Sequence, residues 1–427
     1  MRALVIGGGG REHALVWKLA QSSLVERVFC APGNGGISRD AVCLPLREMS
    51  TTSVLQLVRE NQIDLVVVGP EAPLVAGLVD DLQSQGVLVA GPAKAAAQLE
   101  GSKIHAKQFM QRHGIPTAEF VVCSDPHTAQ QYANRWGGPA VVKADGLAAG
   151  KGVVVASNRA ETEAALNSVL SGELVGAAGM QVVLEQCLIG EEVSFLVLTD
   201  GDSVLPMAPT QDHKRVGDGD TGSNTGGMGA YCNDSIISGT LTQRVMKQIV
   251  HPTLAGLRAE GTPFRGVLYC GLMITADGPQ VLEYNVRFGD PETQALLYRL
   301  DTDLAQVLHE IALGKLITPS LSWKPGASVC VVACAGGYPG SYATGKLITG
   351  LDAAETAGVK VFHSGTAMDK GRLVTTGGRV LGITASGADL ATAARAAYSA
   401  AEKIQFDGMH YRTDIGKKGL ERRRPLD

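Results

Sequence analysis

The chain has 427 residues, an ordinary apolar content and a formal net charge of −4 from 38 basic and 42 acidic residues. Such a length outgrows one hydrophobic core and divides into about two to four domains, and no apolar run approaches the roughly eighteen residues of a membrane helix. Met1–Ile6 passes straight into glycines and the one dense basic run, Lys417-Lys418 through Arg422-Arg423-Arg424, lies near the C-terminus, so a cytoplasmic protein with neither a membrane nor a nucleic-acid partner is expected.

Ala3–Ile6 reads as a short buried strand that ends in Gly7-Gly8-Gly9-Gly10 and leads into a helix carrying Ala14, Leu15, Trp17 and Leu19. Strand, glycine turn and helix form an anion-binding layout, because glycine lets the backbone close on a ligand and the helix start offers free N–H groups. A dinucleotide fold is disfavoured. With Gly7 and Gly9 as the first glycines of a fingerprint, Glu12 takes the place of the third, and the strand Val28–Cys30 runs into Ala31-Pro32-Gly33-Asn34 without an acidic ribose ligand. The pattern fits a phosphate monoester held by the amides of Gly9, Gly10 and Arg11. Strands at Leu65–Val68 and Val87–Ala90 complete an open parallel α/β domain over residues 1–101. Glu71, just past the carboxyl end of one of them, stands where ribose hydroxyls are met.

Ser102 caps a helix carrying Lys103, Lys107 and Phe109 that stops at Gly114-Ile115-Pro116. The pattern then turns strand-rich: Glu119–Val122, Ala140–Lys143, a small-residue loop over 144–152 and Val153–Val155. Strand, glycine loop and strand make a hairpin lid with Lys143 on its first arm. It is not a Walker A loop, since three residues separate Gly146 from Gly150 and Gly152 stands where Ser or Thr would hold a metal. Val182–Phe195 reads as strand, connector and strand. Between Pro209 and Tyr231 lies the most polar, glycine-rich segment, with Gln211-Asp212-His213-Lys214-Arg215 at its start; a loop of that length in a compact domain implies a functional one, suited to a zwitterionic or phosphorylated substrate.

Val281 to Glu292 begins as an apolar strand and sets down Glu283, Asn285 and Arg287 at every second position, hence on one face. Glu283 and Asn285 are hard oxygen ligands of the kind and number that nucleotide-bound magnesium takes from a protein, and the Arg287 fork matches a carboxylate or phosphate. Residues 325–427 form a mixed α/β domain with strands near Ser328–Ala333, Val359–Phe362 and Val380–Thr384 and an alanine-rich packing helix from Asp389 to Ile404. Arg412 and Asp414, near the end of the chain, could reach the cleft, but a surface ion pair is the expectation for them. The eight cysteines are scattered, with Cys330 and Cys334 the closest pair, and read as reduced and mostly buried.

Lys103 on a helix, Lys143 before a glycine hairpin, the Glu185-to-Glu192 connector and the Glu283/Asn285 pair together resemble the ATP-grasp ligases. The Gly-Gly-Gly-Gly-Arg-Glu-His-Ala run, Pro32-Gly33-Asn34-Gly35-Gly36, Asp212-His213-Lys214-Arg215 and Arg287-Phe288-Gly289-Asp290-Pro291-Glu292 narrow the resemblance to the glycinamide ribonucleotide synthetase family, over essentially the whole chain. It implies an ATP-grasp core over 102–324 with a mobile lid lobe near 120–193. ATP would be bound by Lys103, Lys143, Gly150, Glu185 near the base, Leu188 of the adenine hinge and Glu192 on the ribose. Mg²⁺, with Mn²⁺ as a substitute, would sit on Glu283 and Asn285. It further implies a cleft for glycine and 5-phosphoribosylamine that draws on Gly9, Gly10, Arg11, Asn34, Glu71 and Asp290, with Arg287, Asp212 and Lys214 catalytic. In one departure from the wider superfamily, Gly266–Ile274 carries no further metal carboxylate. A biotin-dependent carboxylase would share the core, but the chain has no biotin-accepting Met-Lys-Met segment.

Overall fold

The computed structural model describes residues 1–137, 139–147, 152–171, 181–356 and 358–427. Ala3–Ile6 and Leu65–Val68 are buried on both faces, as continuous apolar strands of a parallel sheet must be. They lie in a five-stranded parallel sheet ordered Val42–Cys43, Arg27–Pro32, Arg2–Gly7, Leu65–Val68, Leu88–Ala90. The strand order reverses beside Arg2–Gly7, and the turns after Gly7, Pro32 and Val68 meet at that switch point, where open α/β sheets gather ligands.

A second, four-stranded antiparallel sheet runs Phe120–Cys123, Val182–Gln186, Ala140–Ala144, Val153–Ala156. Its alternating valines pack on helices Pro126–Trp136 and Arg159–Leu170 in a small core of its own. The lobe's sheet ends at Gln186. Glu191–Thr199 pairs instead with Gly266–Thr275, so the lobe boundary expected near residue 193 moves back to a connector over 187–190.

The central sheet has nine strands. From the edge it runs Gly278–Asn285, Gly266–Thr275, Glu191–Thr199, Thr210–Asp212, Gly229–Asn233, Ala327–Cys334, Arg379–Gly387, Val359–His363, and Val204–Pro206 pairs to the side. The strands of residues 325–427 extend this sheet, because Gly229–Asn233 pairs with Ala327–Cys334. One expectation is corrected here. The polar stretch after Pro209 is not structureless: Arg215–Gly217 pairs with Thr221–Asn224 around a turn in which Gly219 and Asp220 adopt φ of 65° and 55°. Arg412 fastens that hairpin. Its buried guanidinium meets Asp414 at 2.7 Å, Asp220 at 2.8 Å and the Arg215 carbonyl at 3.1 Å, so the expected surface pair is an internal one. The eight cysteines are free and six are buried. No described helix is long and apolar enough to cross a membrane.

Candidate active site

Ser102 caps helix Lys103–Arg112 by accepting the His105 amide, and its hydroxyl donates to Asp145 at 2.9 Å, which binds the helix start to the hairpin arm. Lys103 is thereby aimed across the lobe, where its ammonium donates to the Gly146 carbonyl at 2.7 Å. Lys143 reaches from the lobe to the central sheet and donates to the Leu282 carbonyl at 2.8 Å, one residue before Glu283. Gly150 lies outside the described residues.

Glu185 turns its side chain into the protein. Its side chain is 2 % exposed and forms ion pairs with Lys143 at 2.8 Å and Lys107 at 2.9 Å, so the carboxylate is the counter-ion of two lysines. Burial pushes Lys107 down to about 8, against the pull of Glu185. Leu188 is half-buried in the connector, beside Ile189, which is 89 % exposed.

Glu192, Asp212, Lys214 and Glu283 converge from three stretches of chain. Lys214 pairs with Glu192 at 2.9 Å and lies 3.6 Å from Glu283. Burial works against the charge of Lys214, but Glu192, Asp212 and Glu283 outweigh it and hold the ammonium well above its ordinary range. Burial likewise opposes ionisation of Glu283, yet Lys214, Lys143, Lys103 and Arg287 prevail and depress its carboxyl. Asp212 goes the other way. Burial, reinforced by Glu292, Glu192 and Glu283 and opposed by Lys214, pushes it up to about 7.

Glu283 and Asn285 share a face, as alternation requires, and Asn285 Oδ1 accepts from Arg287 at 3.0 Å. The described residues hold no cluster of three or more acidic, His or Cys groups able to cage a metal. One ionised carboxylate and one amide oxygen, each with capacity to spare, fit a magnesium that keeps its waters and takes its other ligands from phosphate.

Arg287 is locked rather than free. It donates to Glu100 at 2.8 Å and stands 3.4 Å from Glu71, while the other Glu100 oxygen accepts the Val286 amide at 2.8 Å. Burial would lower Arg287, but Glu100 and Glu71 raise it beyond its usual range. Asp290 lies opposite, within 3.4 Å of Arg379 and accepting from Gln294 at 2.9 Å.

Two expectations at the N-terminal turn change. The Gly9 amide donates to Glu12 at 2.6 Å in a capping interaction, and a Cβ at Gly9 would stand 2.7 Å from that carboxylate. The first turn of the helix therefore faces two acids, Glu12 and Asp290, and Gly9 offers no free N–H to a phosphate. Arg11 is buried, donating to Glu12 at 2.7 Å and to the Phe288 carbonyl at 3.1 Å. Asn34 is fully engaged by the protein: its amide nitrogen donates to Gly8 and His363 carbonyls at 2.9 and 2.7 Å, and its oxygen accepts from Gly36 and Ile37. The Asn34 side chain is a brace between the glycine turn and the last strands. Gly10 stays tight for a related reason, since a Cβ there would collide with Gln294 and Ser364.

Sequence reasoning left several working residues without a role. Lys107 had a signal, standing four positions after Lys103 on one helix face. Gln294 stands four positions after its acceptor Asp290, whereas Glu100 and Arg379 had no signal, because their contacts join positions far apart in the chain.

Comparison with known proteins is consistent along the whole length. Models of the phosphoribosylglycinamide synthetase N domain, ATP-grasp (A) domain and C domain match residues 1–100, 101–293 and 328–418. The chain is 49 % identical to phosphoribosylamine–glycine ligase of Pseudomonas aeruginosa over 99 % of both chains, and 50 % identical to that of Xylella fastidiosa with the same coverage. A crystal structure of phosphoribosylamine–glycine ligase from Thermotoga maritima superposes with a TM-score of 0.85 at 35 % identity, covering 97 % of this chain and all of that one. The biotin carboxylase domain of a Hydrogenobacter thermophilus carboxylase aligns at a TM-score of 0.73 but 17 % identity, a likeness of fold alone.

Proposed function

The chain belongs to the phosphoribosylglycinamide synthetase family, and from that premise we propose that it joins glycine to 5-phosphoribosylamine with cleavage of ATP to ADP and phosphate, in purine biosynthesis in the cytoplasm. Membership of an ATP-grasp family brings ATP use and dependence on a divalent metal. The observation that best supports the reading is the set of cations, Lys103, Lys143, Lys214 and Arg287, gathered about Glu283 beside an acid held near neutrality, Asp212.

A carboxylate is a poor electrophile at neutral pH, so the γ-phosphoryl group first passes to a glycine oxygen, giving glycyl phosphate. The ribosylamine nitrogen then attacks the acyl carbon, its C–N bond forms and phosphate leaves with the former carboxylate oxygen. Catalysis of this kind consists of positioning and charge neutralisation. Lys103 and Lys143 meet nucleotide phosphates, and Glu192 takes the ribose. Arg287, held rigid by Glu71 and Glu100, orients the carboxylate of glycine. Lys214 balances charge that builds on the transferred group, and Asp212 accepts the proton released by the attacking amine. Glu283 and Asn285 would hold the metal, Mg²⁺ with Mn²⁺ able to replace it, which supplies charge neutralisation at the phosphates when bound. Gly10, Arg11 and Asp290 border the ribosylamine; with Glu12 and Asp290 both acidic there, that corner suits its amine and hydroxyls better than its phosphate.

The test is ADP formation with each substrate alone and in combination, using glycine labelled with ¹⁸O in its carboxylate. Turnover that requires both glycine and ribosylamine, with ¹⁸O appearing in the released phosphate, is expected. Turnover driven by bicarbonate, or phosphate free of label, contradicts the proposal.

A further inference from the structure

The chain past residue 418, where the matched C domain ends, is fastened to the body of the protein. Leu426 bridges Ile237 in parallel, accepting the Ser238 amide at 2.8 Å and donating to the Ile236 carbonyl at 3.0 Å. Among the arginines of this tail, Arg423 and Arg424 are exposed, whereas the Arg422 side chain is 9 % exposed. Its guanidinium forms a short ion pair with Glu191 and donates to Gln211 Oε1 at 2.8 Å. The other end of Gln211 donates to the Glu192 carbonyl at 2.7 Å, and Tyr231 donates its hydroxyl to the same Gln211 oxygen. One side chain thus ties together the residue before Glu192 and the residue before Asp212.

The place matters because Glu191 opens the central-sheet strand directly after the 187–190 connector. Gly190 lies against the Ile274 backbone with no room for a Cβ, so the connector is pinned at its sheet end by that contact and by the Arg422 pair. We propose that Arg422 is a positioning residue of the ligation: it fixes the start of the strand that carries Glu192 and sets its spacing from Asp212. The inference rests on the nucleotide role given to Glu192 above. Arginine suits the task because one Nη of its planar guanidinium donates to both Glu191 and Gln211 with its two N–H bonds in fixed directions; lysine keeps the charge and loses that planar geometry.

The experiment compares Arg422→Gln, Arg422→Lys and Glu191→Gln in the full chain, with Glu192→Gln as the control on the underlying reading. For Arg422→Gln, KM for ATP rises about tenfold while KM for glycine stays within about twofold, Arg422→Lys recovers part of the loss, and the double variant with Glu191→Gln is no worse than the larger single effect. Glu191→Gln breaks the same pair from its exposed side and carries the test if Arg422→Gln does not fold. Folded variants with a lowered melting temperature but an unchanged KM for ATP, beside a raised value for Glu192→Gln, overturn the positioning role alone. An unchanged KM for ATP in Glu192→Gln overturns the nucleotide reading on which it stands.

Discussion

Glu185 and Glu283 lie on strands of different sheets, each with lysines around it, and they end in opposite states. Glu185, on the four-stranded lobe, is 2 % exposed and closed by Lys107 and Lys143 at hydrogen-bonding distance. Glu283, on the edge of the central sheet, has a side chain 38 % exposed, and its nearest cation among the described residues, Lys214, sits at 3.6 Å because Glu192 holds that lysine closer. A carboxylate wrapped by two ammonium groups is part of the frame. One surrounded by cations yet bonded tightly to none has oxygen to offer a further cation and a field ready for phosphate. The lysine that serves both regions is Lys143, which spans from Glu185 to the Leu282 carbonyl, so the frame sets where the working charges stand.

Three substitutions sharpen the contrast. Glu283→Gln keeps shape and removes charge, so turnover falls by about 10²–10³-fold while melting is little changed; near-normal kcat in the folded variant breaks the assignment. Glu185→Gln strips both lysines of their partner in the interior and costs about 3–5 kcal/mol of stability, read from denaturant unfolding, with a smaller loss of kcat in the protein that stays folded. If instead stability held and the ATP site failed, Glu185 would be a ligand after all. Asp212 gives the smallest effect and the most specific. Its carboxyl is held up near 7, and only the ionised form accepts a proton, so kcat/KM for ribosylamine climbs with pH through about 7 and levels above it. Asp212→Asn is slow throughout and loses that limb; a variant that keeps the limb assigns the titration to another group.

How far the sequence spoke for itself differs along the same line. Strand alternation alone put Glu283, Asn285 and Arg287 on one face, and the glycine turn at Gly7–Gly10 was legible as a close approach at the sheet's switch point. The ion pairs of Glu185 were not legible because burial is not local: that its carboxylate turns inward to Lys107 depends on how a helix from one stretch packs beneath a strand from another. The bracing role of Asn34 was hidden for the same reason, since one of its acceptors is the His363 carbonyl, 329 positions away. The Gly9 amide shows a subtler limit. Glu12 stands where a capping acid belongs, three positions past the N-cap, and the capping pattern in the sequence argued against a free phosphate site. The polar run after Asp212 looked like loop because its short strands carry no apolar alternation, and its hairpin is held by Arg412 from the far end of the chain.

The distinction between the two glutamates is tested most directly by Mn²⁺ binding, followed by electron paramagnetic resonance in the presence of a non-hydrolysable ATP analogue, in the parent protein, Glu283→Gln and Glu185→Gln. The parent and folded Glu185→Gln are expected to bind nucleotide-linked Mn²⁺ alike, whereas Glu283→Gln binds it at least about tenfold more weakly, in keeping with the loss of one charged ligand. Equal Mn²⁺ affinity in Glu283→Gln and the parent, or loss of Mn²⁺ from folded Glu185→Gln alone, contradicts the account.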